Sequence, residues 1–178
     1  AGLNETGNAY TITITDKTVD STALNDLNAK TTVAVNASAV TILTGTAAAA
    51  NTAYSANTAG TITGLGNEAV TLEDTTLAAS VLNTLDGNTS GSINATTVTT
   101  LTGTAADANT AYASGGITGL GNEAVTLSDT TLAASVLNTL DGNTTGAVNA
   151  STVTTLTGTA AVVNTALGSS GISGLGNE

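Results

Sequence analysis

Short stretches in which β-branched and polar residues alternate recur along the chain. Each is followed by a run whose apolar residues fall at helical spacing. The strand-like stretches are 11–15 (TITIT), 40–43 (VTIL), 70–74 (VTLED), 98–101 (VTTL), 125–129 (VTLSD) and 153–156 (VTTL). Val, Ile and Thr in two-residue alternation suit a half-buried strand. In 75–87 (TTLAASVLNTLDG), Leu77, Val81, Leu82 and Leu85 share one helical face, and Leu132, Val136, Leu137 and Leu140 repeat the pattern. The run 157–171 places Ala160, Val163 and Leu167 together in the same way.

The joints agree with this reading. Asp16, Thr44, Asp74, Thr102, Asp129 and Thr157 stand between strand and helical run and suit helix N-caps. Gly87 and Gly142 follow the leucine face as C′ residues, and Gly168 ends the other flavour. Between each helix and the next strand lies a second apolar pair: Val33/Val35, Ile62/Leu65, Ile93/Ala95, Ile117/Leu120, Val148/Ala150 and Ile172/Leu175. A β-β-α coil is therefore as defensible as a β-α one.

The strand anchors Ile12, Val40, Val70, Val98, Val125 and Val153 lie 28, 30, 28, 27 and 28 residues apart. Above this period stands a longer one, in which GLGNEAVTL at 64–72 returns at 119–127 and TLAASVLNTLDGNT at 76–89 returns at 131–144. Near-identical units of this length bury their apolar faces by stacking on their neighbours. The expectation is a single α/β solenoid over 1–178. Its six strand–helix coils span about 8–35, 36–65, 66–92, 93–120, 121–147 and 148–178. Parallel strands stack along one face and short helices along the other; the alternative architecture is an all-β parallel β-helix.

Asparagine repeats once per coil. Asn25, Asn51, Asn83, Asn109, Asn138 and Asn164 each sit beside the apolar face of their helix, and a second column runs through Asn36, Asn94, Asn149 and Asn67, Asn122, Asn177. An amide both donates and accepts, so such columns suit a ladder that satisfies backbone within and between coils.

Charge and composition narrow the function. The net charge is −11, with Lys17 and Lys30 the two basic residues. Such a chain repels a phosphate backbone, so nucleic acid is excluded as a partner. No apolar run reaches the ~20 residues of a membrane span. Cysteine is absent, as is histidine, which leaves carboxylates, hydroxyls and two lysines for chemistry. Glu73 and Asp74 are adjacent and cannot serve one site together, and the later copy reads Ser128-Asp129. The expectation is no enzyme and no cofactor.

Calcium is the one ion with a candidate site. Asp86 and Asn88, and their copies Asp141 and Asn143, bring oxygen ligands around a glycine, although each loop supplies one carboxylate. Threonine is abundant in the strands. Stacked coils would set its hydroxyls in rows ~4.8 Å apart, a face that could grip ice or a polysaccharide. The shift between VTL and VTTL breaks a strict lattice, and β-propensity alone accounts for the threonine.

The phrases TLAASVLNTLDGNTTG, VNASTVTTLTGTAA and GLGNEAVTLSD resemble the repeats of very large, low-complexity surface or secreted proteins of marine cyanobacteria and related bacteria. The resemblance covers essentially the whole chain. It implies an extracellular, acidic, cysteine-free structural array, with neighbouring repeats, or identical subunits head to tail, as its partners. Glycine–aspartate calcium nonapeptides are missing, so calcium dependence does not carry over. Both ends read as junctions (AGLNETGN and GLGNE), which suits an internal excerpt of a longer array. The expected function is mechanical: a stiff spacer, stalk or filament-forming block. A Thr-faced surface-binding module and a calcium-organised adhesin segment are the alternatives.

Overall fold

The computed structural model describes residues 7–176. The first coils run β1 (Thr18–Asp20), α1 (Ser21–Asn28), β2 (Val35–Asn36), β3 (Ile42–Gly45), α2 (Ala47–Thr58) and β4 (Ile62–Thr63). Then come β5 (Ala69–Leu72), β6 (Thr76–Ala78), α3 (Ala79–Asn88), β7 (Ile93–Asn94), β8 (Thr100–Gly103), α4 (Ala105–Ala113) and β9 (Ile117–Thr118). The last are β10 (Ala124–Leu127), β11 (Thr131–Ala133), α5 (Ala134–Asn143), β12 (Val148–Asn149), β13 (Thr155–Thr157), α6 (Ala160–Gly168) and β14 (Ile172–Ser173). This is an α/β solenoid-like repeat fold with parallel strands. One helix falls in each expected coil, so the all-β alternative is wrong. A short strand follows every helix, after a longer turn in the case of α1, so the second strand is real.

The described residues divide into two compact units, 7–74 with 84–95, and 75–83 with 96–176. In the first, β1, β3, β5 and β7 pair in that order. Register aligns Val19, Leu43, Val70 and Ile93 in one inward row. Beside it, β2 pairs with β4 through the buried Val35 and Ile62. In the second unit β6, β8, β10, β12 and β14 pair in order, with Leu77, Leu101, Val125, Val148 and Ile172 as the inward row. Strands β11 and β13 form a separate pair. Small apolar residues complete the core: Ala47, Ala105 and Ala134, the first residues of their helices, are fully buried. A larger side chain there would hold the helix off the sheet.

Alternate coils carry an extra strand, which the sequence pattern folded into the helix. β5 pairs with β3 along one edge and β7 along the other, and β6 follows at once. Leu77 and Leu132 therefore sit in β6 and β11, not on the helical faces of α3 and α5. Thr76 and Ala78 pair with Thr100 and Thr102, so two-residue alternation wins locally over helical spacing. At the other extreme, TITIT contributes only an isolated bridge from Thr13 to Asn36.

The helix joints need a second correction. α1 is capped by Asp20, α2 by Thr46 and α4 by Thr104, each hydroxyl or carboxylate accepting from the amide three residues on. Thr44 and Thr102 are not the caps, because a glycine first turns the chain: Gly45 and Gly103 have φ of 116° and 127°. Asp16 is not the cap because β1 stands between it and α1. In the last coil the cap position is Thr159, two residues after Thr157, and its side chain makes no capping bond. Asp74 and Asp129 do not cap α3 and α5 either. Asp74 Oδ2 accepts the Ala47 amide of α2 at 2.8 Å, and Asp129 Oδ2 accepts the Ala105 amide of α4 at 2.8 Å. Each carboxylate thus serves the helix of the preceding coil, where it meets the positive end of the helix dipole. Gly87 and Gly142 lie inside the last turns of α3 and α5, not beyond them. Neither has a positive φ, so the helix runs on to Asn88 and Asn143.

Candidate functional site

Two kinds of side chain repeat with the coils and point inward: the helix asparagines and a pair of glutamates. Asn25 Nδ2 donates to the Ala49 carbonyl at 2.9 Å, Asn83 to Asp107 at 2.9 Å, Asn109 to Val136 at 3.1 Å and Asn138 to Val162 at 3.1 Å. The acceptors lie 24, 24, 27 and 24 residues on, always the third residue of the next helix. Asn51 Oδ1 accepts from Asn88 Nδ2, and Asn109 Oδ1 from Asn143 Nδ2, each at 2.9 Å. Asn164, on α6, is exposed.

The second asparagine column works locally. Asn36 and Asn149 turn their Oδ1 back onto the Ser38 and Ser151 amides, closing short turns. Asn67 and Asn122 are exposed, and Asn177 lies outside the described residues.

The calcium candidates are drawn into the same bonding. Asn88 and Asn143 donate to ladder asparagines as above, and Asp141 Oδ2 accepts the Ser169 hydroxyl at 2.7 Å. Asp86 is half-buried near the end of α3. Among the described residues, no group of three or more His, Cys, Asp or Glu is placed to hold a metal ion.

Glu68 and Glu123, in the GNE of the first two GLGNE junctions, are fully buried; Glu178 of the third lies outside the described residues. Glu68 Oε2 accepts the Tyr54 hydroxyl at 3.1 Å and the Gly66 amide at 2.8 Å. The backbone carbonyl of Glu68 accepts the Thr89 hydroxyl at 2.7 Å, and that oxygen in turn accepts the Gly91 amide at 3.0 Å. The copy is faithful: Tyr112 and Gly121 meet Glu123 Oε2 at 3.1 and 2.8 Å, and Thr144 meets its carbonyl at 2.7 Å. A Cβ at Gly91 or Gly146 would run into the carbonyl of the glutamate beside it, so the close approach demands glycine. Oε1 of each glutamate makes no hydrogen bond.

Burial pushes the Tyr54 phenol well above its usual range; the Thr89 hydroxyl eases the shift and the Glu68 carboxylate adds to it. Tyr112 is raised for the same reasons, with Thr144 and Glu123 as its neighbours. Each phenol is thereby kept a donor to its carboxylate. Both carboxylates are fully buried, and the hydroxyls of Tyr54, Thr89, Tyr112 and Thr144 beside them are already bonded. What the arrangement does is fasten the GLGNE turn to the helix before it and the strand after it.

Sequence reasoning missed both glutamates because GNE reads as a turn. One signal was present. The Glu of GNE returns in each long repeat, whereas Glu73 becomes Ser128. Tyr54 and Tyr112 were visible as equivalent helix-end positions, and Leu167 replaces them in the third copy.

Two measurements check these bonds. Asn83→Ala and Asn138→Ala each lower stability by about 1 kcal/mol, the loss of a buried amide bond, whereas Asn164→Ala leaves it unchanged in dilute solution. Equal effects at all three positions in urea melts would remove the ladder. Because the folded tyrosines titrate above the unfolded value of 10.0, their contribution is complete below pH 10 and falls as pH rises beyond it. The slope is up to about 1.4 kcal/mol per pH unit per tyrosine. Tyr54→Phe costs about 1–3 kcal/mol at pH 7 by leaving Glu68 Oε2 short of a donor, and melts above pH 10 then show a shallower decline than wild type.

Comparison with protein-family models, with curated proteins and with solved structures finds no match to this chain.

Proposed function

We propose that this chain is a structural repeat segment of an extracellular surface array, acting as a stiff spacer or as the building block of a filament. One observation carries the reading: four of the six helix asparagines, together with Asp74 and Asp129, are spent on the backbone of the adjacent coil. The repetition of residues held that way favours a task that scales with coil number. The acidic surface keeps separate arrays apart. The extracellular setting rests on the resemblance of the repeat phrases to those of large bacterial surface proteins. No helix among the described residues is long and apolar enough to cross a membrane.

The surface-binding alternative gains no such support. The outward row of the second unit runs Ala78, Thr102, Thr126, Asn149 and Ser173. Mixed small polar residues favour a solvated strand face over one matched to a crystal lattice. The calcium alternative likewise lacks an observation in its favour: Asp141, one of its two carboxylates, already accepts the Ser169 hydroxyl.

The test is the number of repeats. Duplicating residues 66–120 in frame adds two coils and two rungs of the ladder. Nearest-neighbour stacking makes the melting temperature rise with each duplication and level off as end effects are diluted. A melting temperature independent of copy number would contradict the spacer reading.

A further inference from the structure

We infer that this chain opens under load two coils at a time, α2 with α3 and α4 with α5 each yielding as one block of 55 residues, the shift of the long repeat. The inference rests on the structural reading above and adds how such a segment lengthens when pulled. Two kinds of coil-to-coil joint alternate along the chain, and they are not fastened alike.

Inside a block the joint is held at three places. At the start of the first helix, the Ala47 amide donates to Asp74 and the Ala105 amide to Asp129, each at 2.8 Å. Past that helix, Glu68 accepts the Tyr54 hydroxyl while its carbonyl accepts that of Thr89, the residue after α3. Glu123 joins Tyr112 to Thr144, the residue after α5, in the same way. Between the helices, Asn88 donates to Asn51 and Asn143 to Asn109, each at 2.9 Å. A shared strand adds to these bonds. β10 pairs with β8, which leads into α4, and with β12, which follows α5. One strand thus stitches the entrance of the first coil to the exit of the second, and β5 does so between β3 and β7.

The joint between blocks is barer. From α5 to α6, Asn138 donates to the Val162 carbonyl, and the Ser169 hydroxyl donates to Asp141. From α1 to α2, Asn25 donates to the Ala49 carbonyl and Asn28 to the Thr61 hydroxyl. Among the described residues no carboxylate accepts the first amide of α5. Its cap position, Ala133, makes no side-chain bond, and the next coil brings Gly158 beside Ala134. Strands pair here without a shared member: β1 with β3 and β11 with β13 over three residues, and β12 with β14 over two. Threonine hydroxyls reach a neighbouring carbonyl at both kinds of joint, as Thr145 does to Gly121 and Thr154 to Thr130, so they do not separate the two.

The difference decides where a tear runs. Parting α5 from α4 strips the Ala105 amide of its carboxylate and Glu123 of Thr144, so several buried or charged groups lose partners together. Parting α6 from α5 breaks one amide bond and one hydroxyl–carboxylate bond besides the strands. A stack held by nearest-neighbour contacts opens at its weaker joints, and coils joined more tightly open as one cooperative unit. A spacer of such blocks gives out chain in long steps while the blocks beside the break stay folded.

Pulling the 178-residue chain by a cysteine added at each end reads the step size directly, since the sequence has no cysteine of its own. At roughly 3.3–3.6 Å of extended chain per residue, a block releases about 190 Å and a single coil about 95 Å. The expected trace holds two long steps, for α2–α3 and α4–α5, and short steps for the coils of α1 and α6. Asp129→Ala combined with Tyr112→Phe loosens one block and leaves the other as an internal control, so one long step should split into two short ones. Asn138→Ala, at the α5–α6 joint, should keep both long steps.

The inference is overturned if wild type yields only short steps or one release of the whole chain, if the double variant keeps both long steps, or if Asn138→Ala splits one. The wild-type trace decides the block size even where a variant does not fold. The repeat-duplication melts read coil number and not step size, so a failed block leaves the spacer reading to be judged by them.

Discussion

Helices of eight to twelve residues are marginal on their own in water. Each end also leaves backbone amides or carbonyls without partners inside the helix. In this chain the shortage is met from outside the helix, by the neighbouring coil. An asparagine reaches forward to a carbonyl in the first turn of the next helix, and an aspartate reaches back to the first amide of the previous one. Every other feature follows from that exchange. The coils must keep a nearly constant register, the helices must start at the same height, and the first helical residue must be small enough to sit against the sheet.

The core is consistent with that demand. It is built from Leu, Ile, Val and Ala, with Tyr54 its one buried aromatic residue. A fully buried aliphatic side chain contributes roughly 1.5–3 kcal/mol, and strands of two to four residues supply few of them. The stack is therefore held by many small contributions, and specificity falls to the polar bonds. The buried glutamates fit the same scheme. Glu68 and Glu123 tie a glycine-rich turn to a tyrosine on one side and a threonine on the other. Each leaves one oxygen unbonded, an unfavourable group that the surrounding bonds must outweigh.

Much of this was legible in the residues. The strand cores and helical runs follow directly from two-residue and helical spacing, and the second strand was already visible as an apolar pair. The ladder asparagines stood out because they recur at one place on each helix. What stayed hidden depends on register between coils, which no local pattern contains. Asp74 precedes a helix in sequence and so reads as its cap, yet in space it lies nearer the start of the previous one. Thr76-Leu77-Ala78 fits a helix or a strand equally well, and only its pairing with β8 decides. Glu68 hides in a turn phrase because burial of a carboxylate is set by what packs over it, here Tyr54 from α2.

The most direct test of the account is a double-mutant cycle across one coil-to-coil contact. Asp129→Ala removes the carboxylate and Ala105→Pro removes the amide it accepts, with Thr104 at φ −79° and ψ 151° able to precede proline. Urea unfolding of the wild type, both single variants and the double variant yields the coupling between the two coils. The account predicts a favourable coupling of about 1–2 kcal/mol, the worth of a hydrogen bond with one charged partner. Strictly additive effects would mean that the coils are not joined by this bond, and the central claim would fall.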